Sequence, residues 1–236
     1  MTWRRSLTIK NTEFEKLIGY TFSDGSLLET ALTHSSYTRE HGREDMKDNE
    51  RLEYLGDAFF DAIAGEVLYQ KLPEENEGIL TKRRAQIVRE DSLAEVGRSI
   101  GIGDYLNLGR GEEHTGGRDK TSIIADATEA LIGSVFLDGG YEAARGLVIR
   151  LFGKQIEDAV AGKDPGDYKS RLQEEYQKNG PVDIVYSLDR EEGPSHDRSF
   201  FMTVYINGTA AGSGFGKSKK EAGQNAAKEA LEKLEK

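Results

Sequence analysis

The chain has 236 residues, of which 36% are hydrophobic and 31% charged, with a formal net charge of −10, four histidines and no cysteine. That composition suits a globular protein with a modest core and excludes disulfides and cysteine-ligated zinc; it is compatible with a reducing cytoplasm, where the protein is expected. The longest strongly apolar stretch, Ala130 to Leu137, is far too short to cross a bilayer, and the SLTIKNTEFEKLIG that follows Arg4 and Arg5 lacks the apolar core of a signal peptide.

From Thr12 to about Gly162 the pattern is helical. Apolar residues recur at spacings of three and four through Phe14 to Ile18, Leu27 to Leu32, Leu52 to Leu68, Leu80 to Val88 and Ile123 to Leu137. The segment Ala161 to Gly166 has two glycines, a proline and no apolar period, so it reads as a linker between domains. Beyond it the period changes. Tyr168 to Lys178 reads as a helix, Val182 to Leu188, Ser199 to Ile206 and Ala210 to Phe215 as strands with an Asn207-Gly208 hairpin signal, and Ser218 to Leu234 as a helix. The expectation is two domains: an all-α domain over residues 1–160, a linker over 161–166, and a small α+β domain of α-β-β-β-α order over 167–236.

A net charge of −10 argues superficially against a nucleic-acid partner. Its distribution answers the objection, because from Asp167 onward 11 basic residues meet 12 acidic ones, whereas upstream 21 meet 30. Acidity is concentrated in the helical part, where carboxylates that hold divalent cations invert the local field.

Glu50, Glu53 and Asp57, in NERLEYLGDAFFDA, fall at i, i+3 and i+7 and so share one helix face, with Leu52, Tyr54 and Leu55 as apolar anchors between them. A solvated acidic face explains these three as well as a site does. Asp126 and Glu129, an i, i+3 pair inside SIIADATEALIG, fit that bland reading less well, because Ile123, Ile124, Leu131 and Ile132 surround them. If the two helices pack together, four or five carboxylates converge and demand a cation. Oxygen donors favour magnesium or manganese over zinc, and such ions activate water for phosphodiester hydrolysis. Gly216-Lys217-Ser218 imitates the end of a phosphate-binding P-loop, but the first glycine that motif requires would fall at Ala211, so no nucleotide cofactor is expected.

NERLEYLGD, with LTHSSY at Leu32 to Tyr37, LGRGEEHTGGRDK at Leu108 to Lys120 and SIIADATEALIG, resembles bacterial ribonuclease III over nearly the whole chain. The resemblance implies a magnesium site, with manganese as a substitute, made of Glu53, Asp57, Asp126 and Glu129. Asp57 and Glu129 would be the essential catalytic pair, and Glu50 and Glu77 outer acids that help set the cleavage site. It further implies hydrolysis of double-stranded RNA to 5′-phosphate and 3′-hydroxyl ends, a part in rRNA and mRNA processing, and a homodimer. Tyr54 stands where that family carries a phenylalanine that plugs the partner subunit. His34 reads as a structural hydrogen-bonding residue rather than a catalytic one. Gly116, Gly117 and Arg118 read as a surface turn or as phosphate contacts, and Lys82, Arg83 and Arg84 as a solvated basic face.

Ser218 followed by Glu221 is a capping-box pattern, so a helix should begin at Ser218. Lys217, Lys219 and Lys220 then crowd the positive end of its dipole, an arrangement that makes sense when phosphates arrive. With GPSH at Gly193 to His196, this region resembles a double-stranded-RNA-binding domain, and the resemblance places RNA contacts at Gln173, Gln177, His196, Lys217, Ser218, Lys219 and Lys220. Such domains read A-form shape over roughly 16 base pairs. The alternative is a non-catalytic scaffold that binds duplex RNA; the complete acidic set argues against it. A helical interaction protein without RNA leaves the lysine-bearing helix start unexplained.

Overall fold

The computed structural model describes residues 12–41, 46–163, 166–178, 180–194 and 198–234. By its contacts the chain divides into two compact units, Met1–Lys163 and Asp164–Lys236. The linker residues Asp164 and Pro165 lie outside the described residues.

The first unit is helical. Its described helices are α1 (12–18), α2 (Gly25–Ala31), α3 (Ser35–His41), α4 (Glu50–Lys71), α5 (Glu77–Ile87), α6 (Glu90–Ser99), α7 (Ile102–Tyr105), α8 (Arg110–His114), α9 (Thr121–Leu151) and α10 (Gly153–Val160). Their apolar faces meet in one core around Phe14, Ile18, Phe60, Ile63, Leu68, Ile124, Leu131 and Phe152. Helices α4 and α9 form the most extensive helix pair among the described residues. Two glycines make that contact close: a Cβ on Gly56 would lie 1.8 Å from the Glu129 carbonyl oxygen, and one on Gly133 would lie 2.3 Å from the Leu52 carbonyl oxygen. Backbone therefore touches backbone where the acidic residues sit. Helix α9 runs past its expected end at Leu137 and breaks direction at Gly140, whose φ of 76° few other residues adopt. Just before the break the Asp138 carboxylate accepts bonds from the Tyr20 hydroxyl at 2.7 Å and from the Ser23 and Asp24 amides at 2.9 Å, which anchors the turn after α1.

The second unit contains α11 (Tyr168–Gln177), β1 (Ile184–Glu192), β2 (Ser199–Ile206), β3 (Thr209–Gly216) and α12 (Lys219–Leu234), with the strands antiparallel in the order β1-β2-β3. Ile206 pairs with Thr209 across a two-residue loop in which Asn207 and Gly208 have φ of 49° and 78°. Two successive positive φ angles belong to the type I′ hairpin turn that the dipeptide signals. Leu172, Val204, Ile206 and Leu231 form the small core, and the alanines at 222, 226, 227 and 230 let α12 settle on the sheet.

Strand β1 differs from expectation. It runs on through Asp189, Arg190, Glu191 and Glu192, past a register shift between Leu188 and Arg190. The polar composition of that stretch suggests a turn, but it pairs with Ser199 to Phe201, the Arg190 guanidinium lies 4.1 Å from the centre of the Phe201 ring, and Arg198 pairs with Glu191 at 3.0 Å. Cross-strand partners hold an end that local propensity would not.

Candidate active site and nucleic-acid interface

Helix α4 carries Glu50, Glu53 and Asp57, and α9 carries Asp126 and Glu129. Among the described residues, oxygens of Glu53, Asp126 and Glu129 all lie within 4.8 Å of one another. The three are half-buried. Burial first, then the charges of Asp57, Glu53, Asp126 and Glu90, push the Glu129 carboxyl up to about 8. Burial likewise raises Glu53, with Asp126, Glu50 and Asp57 adding to it, and raises Asp126, with Glu90 adding and His34 opposing. Each raised carboxyl has the same physical causes: partial desolvation first, then the neighbouring negative charge. A perturbed cluster of this kind is a signature of a functional site.

The convergence is narrower than the sequence suggests. Asp57 is exposed and stands outside the group of three, although it is the largest charge acting on Glu129. Glu50 is exposed at the start of α4, 3.8 Å from Arg39. Glu77 is exposed in the first turn of α5 and accepts a bond from the Thr81 hydroxyl at 3.0 Å. The missed contributor is Glu90, which opens α6 and whose charge acts on both acids of α9. No local spacing connects it to them. Tyr54 is no anchor within the protomer: it is 80% exposed, whereas Leu52 is buried.

Two basic groups are corrected. Arg83 donates to the Ala159 carbonyl at 2.7 Å and Arg84 pairs with Asp61 at 3.1 Å, so two of the three residues in that cluster tie α5 to α10 and α4. Arg118 donates to the Gly103 and Leu106 carbonyls at 2.7 and 2.9 Å and pairs with Glu113 at 2.6 Å; it clamps α7 and α8 rather than waiting for phosphate. His34 is held as a hydrogen-bonding residue, with Nδ1 2.8 Å from the Ser36 hydroxyl.

In the second unit the Ser218 hydroxyl accepts from the Glu221 amide at 3.1 Å, which makes Ser218 the cap of α12. The Glu221 carboxylate reaches back to the amide of Lys217, at 2.7 Å, one residue earlier than in the standard box. Lys217, Lys219 and Lys220 are all exposed at this helix start. Lys219 pairs with Glu191 at 3.0 Å, and the Lys217 amine lies 3.4 Å from the Ser199 hydroxyl. Gln173 and Gln177 are exposed on α11. His196 lies outside the described residues.

Residues 24–156 match the family model described as Ribonuclease-III-like, and residues 168–234 match the double-stranded RNA binding motif. Ribonuclease 3 of Clostridium perfringens is 48% identical over 222 residues, covering 94% of this chain and 93% of that protein. Ribonuclease 3 of Enterococcus faecalis is 48% identical over 223 residues, 94% of this chain and 96% of that protein. A solved nuclease domain of ribonuclease III from Campylobacter jejuni, described with a region involved in dimer formation, superposes with a TM-score of 0.56 at 41% identity, covering 60% of this chain and 95% of that one. With both domain models matched in order and near-full-length relatives at this identity, the chain belongs to the ribonuclease III family.

Proposed function

We propose that this chain is an endoribonuclease that hydrolyses phosphodiester bonds of double-stranded RNA at the carboxylates of α4 and α9, with magnesium, or manganese in its place, as the cation. The observation that carries the reading is the gathering of Glu53, Asp126 and Glu129 within 4.8 Å, with Glu129 pushed up to about 8. The donor set fits such an ion: every ligand atom is a hard carboxylate oxygen, with no thiolate or imidazole among the three. When bound, the cation supplies an acidified water and neutralises charge developing on the phosphate.

The residues themselves bind and orient. Glu53, Asp126 and Glu129 supply oxygens, and Asp57, close enough to Glu129 to raise its pKa, completes the set. Glu129 holds its proton at neutral pH until the site is loaded, so loading displaces that proton. Asp57 and Glu129 form the essential pair, and Glu50 and Glu77 act as outer acids that tune the cleavage position. In the net reaction the water oxygen joins phosphorus as the bond to O3′ breaks, leaving a 5′-phosphate and a 3′-hydroxyl.

The catalytic part spans residues 1–160 and the RNA-gripping part 167–236, joined by 161–166. Lys217, Lys219 and Lys220 meet phosphates at the capped start of α12, Ser218 lies among them, and Gln173, Gln177 and His196 enter flanking minor grooves. The working form is a homodimer in which Tyr54, a large aromatic 80% exposed beside Glu53, packs on the partner. Its substrates are structured rRNA and mRNA transcripts, which places its work in the cytoplasm. Among the described residues no helix is long and apolar enough to cross a membrane. Glu129→Gln tests the site: the variant should retain affinity for duplex RNA in a gel-shift assay and lose cleavage, and an equal loss of both contradicts the assignment.

A further inference from the structure

The three-stranded sheet of the second unit has one covered face and one open face. A Cβ on Gly212 or Gly214 would lie 2.4 or 2.2 Å from backbone atoms of Ala226, so these alternate residues of β3 face α12. Their partners on β2, Val204 and Met202, are buried on the same side. By the two-residue period of a strand, Phe201 and Phe215 stand on the opposite face. They are cross-strand partners whose ring centres lie 6.1 Å apart with the planes 28° from parallel, and the Arg190 guanidinium lies over the Phe201 ring at 4.1 Å. Phe201 is half-buried, whereas Phe215 is 65% exposed.

A cross-strand aromatic pair steadies a sheet, but covered rings serve that role, and β3 is an edge strand, where an open apolar ring invites aggregation. Pairing of this edge with a second copy is opposed by Glu229, whose carboxylate accepts from the Ser213 amide at 2.5 Å and from the Ser213 hydroxyl at 3.0 Å. The surroundings suit nucleic acid instead. Phe215 stands two residues before Lys217. The Lys219 amine lies 5.7 Å from the centre of the Phe200 ring and the Lys217 amine 3.4 Å from the Ser199 hydroxyl, so the cations at the start of α12 also border the start of β2. The acids at the end of β1 are engaged: Glu192 by Arg190 at 2.8 Å, Glu191 by Arg198 and Lys219, each at 3.0 Å, and Asp189 by the Thr203 hydroxyl at 2.7 Å. Open aromatic rings and a guanidinium plane beside lysines are what single-stranded RNA binds, with bases stacked on the flat faces and phosphates following the cations.

We propose that Phe215, with Phe201 and Arg190, forms a stacking platform for single-stranded RNA that flanks the duplex held at the start of α12. Bases inside a duplex are already stacked on one another and cannot use it; the unpaired bases of a tail or loop can. The platform does not select base identity, because every base has a π-face. It favours duplexes that end in, or are interrupted by, unpaired nucleotides. The inference rests on the reading of Lys217, Lys219 and Lys220 as phosphate contacts.

The test is binding of the full chain, in chelator so that no strand is cut, to an RNA duplex of about 16 base pairs, blunt or carrying a short adenine tail at its 3′ or its 5′ end. Fluorescence polarisation gives the affinities, quenching of 2-aminopurine in the tail reports stacking, and the thermal midpoint is recorded for each variant. The parent should bind a tailed duplex about fivefold or more tighter than the blunt one and quench the probe. Phe215→Leu keeps apolar bulk without a π-face; it should bind tailed and blunt duplexes within about twofold of each other, with parental affinity for the blunt one. Phe215→Tyr should keep both the gain and the quenching, a rescue that a role in folding alone does not predict. Should Phe215→Leu lose its fold, Phe215→Ser takes its place and is read in the same way. No gain from a tail in the parent, or an equal gain in Phe215→Leu, overturns the platform and leaves the duplex reading standing. A parent that does not bind the blunt duplex overturns both. An equal gain in Phe215→Leu joined to weaker self-association in sedimentation overturns the platform and assigns the open face to a second copy of the chain.

Discussion

Replacing Gly56 by alanine adds one methyl group where α4 and α9 touch, with consequences for both stability and chemistry. The new Cβ would stand 1.8 Å from the Glu129 carbonyl oxygen, roughly 1.5–2 Å inside van der Waals contact. Because the obstacle is helix backbone on both sides, no side chain can swing away, and the two helices must separate. Overpacking of this sort costs about 1–3 kcal/mol, which at roughly 2–4 °C per kcal/mol lowers the thermal midpoint of the helical unit by about 2–12 °C. The same displacement moves Glu53 away from Asp126 and Glu129, and a shift on the order of 1 Å in a positioned group costs about 10²-fold in rate. Gly65→Ala on the same helix is the control, since its Cβ would meet nothing nearer than Arg84 Cδ at 3.7 Å. Differential scanning fluorimetry and single-turnover cleavage of a labelled duplex, run side by side, read the two effects. Parental stability and cleavage in Gly56→Ala would refute the claim that backbone contact between these helices builds the site.

The cation-free protein should lose stability as pH rises from about 4.5 to about 8, because Glu129 is raised from 4.5 to about 8 and its folded form favours the proton. Urea melts in chelator across that range should show the slope, and Glu129→Gln should flatten it; an equal slope in the variant assigns it elsewhere. Titrating Mg²⁺ into weakly buffered protein at pH 7 should release protons, measurable by calorimetry in buffers of different ionisation enthalpy, and no buffer dependence would contradict the protonated Glu129. Arg118→Ala should destabilise by about 1–3 kcal/mol, because it frees two backbone carbonyls, yet leave duplex affinity unchanged. Weakened binding at full stability would restore the phosphate-contact reading. Lys220→Ala should reduce the slope of log affinity against log salt by about 1 without altering the fold, and an unchanged slope would remove that lysine from the phosphate footprint.

How much of this was legible in the sequence depended on whether the signal was local. The i, i+3, i+7 acids of α4, the acid pair of α9, the Asn207-Gly208 turn and the Ser218 cap each sit within about two helical turns or one hairpin loop. Their spacing carries their geometry. Glu90 was not legible because its effect on Asp126 and Glu129 arises from the packing of α6 on α9, which no spacing along the chain encodes. Arg83 and Arg118 resembled free cations because their partners are backbone carbonyls, which every residue has and none advertises. Gly56 and Gly133 lie inside the two acidic motifs, but the spacing of charges does not mark the two positions whose missing side chains let the charged ones meet. The end of β1 was hidden for a similar reason, since cross-strand pairing outweighs its polar composition.

Acidic clustering on α4 and α9 should serve cation-dependent cutting of duplex RNA, which a cleavage assay on the purified chain reads out. Purified chain is incubated with a labelled RNA duplex longer than two helical turns, with magnesium or with chelator, beside single-stranded RNA and duplex DNA of matched sequence. The RNA duplex alone should be cleaved, only with magnesium, leaving 5′-phosphate and 3′-hydroxyl ends. RNA duplex that is retarded on the gel but intact under every metal condition would contradict it and identify the chain as a duplex-binding scaffold.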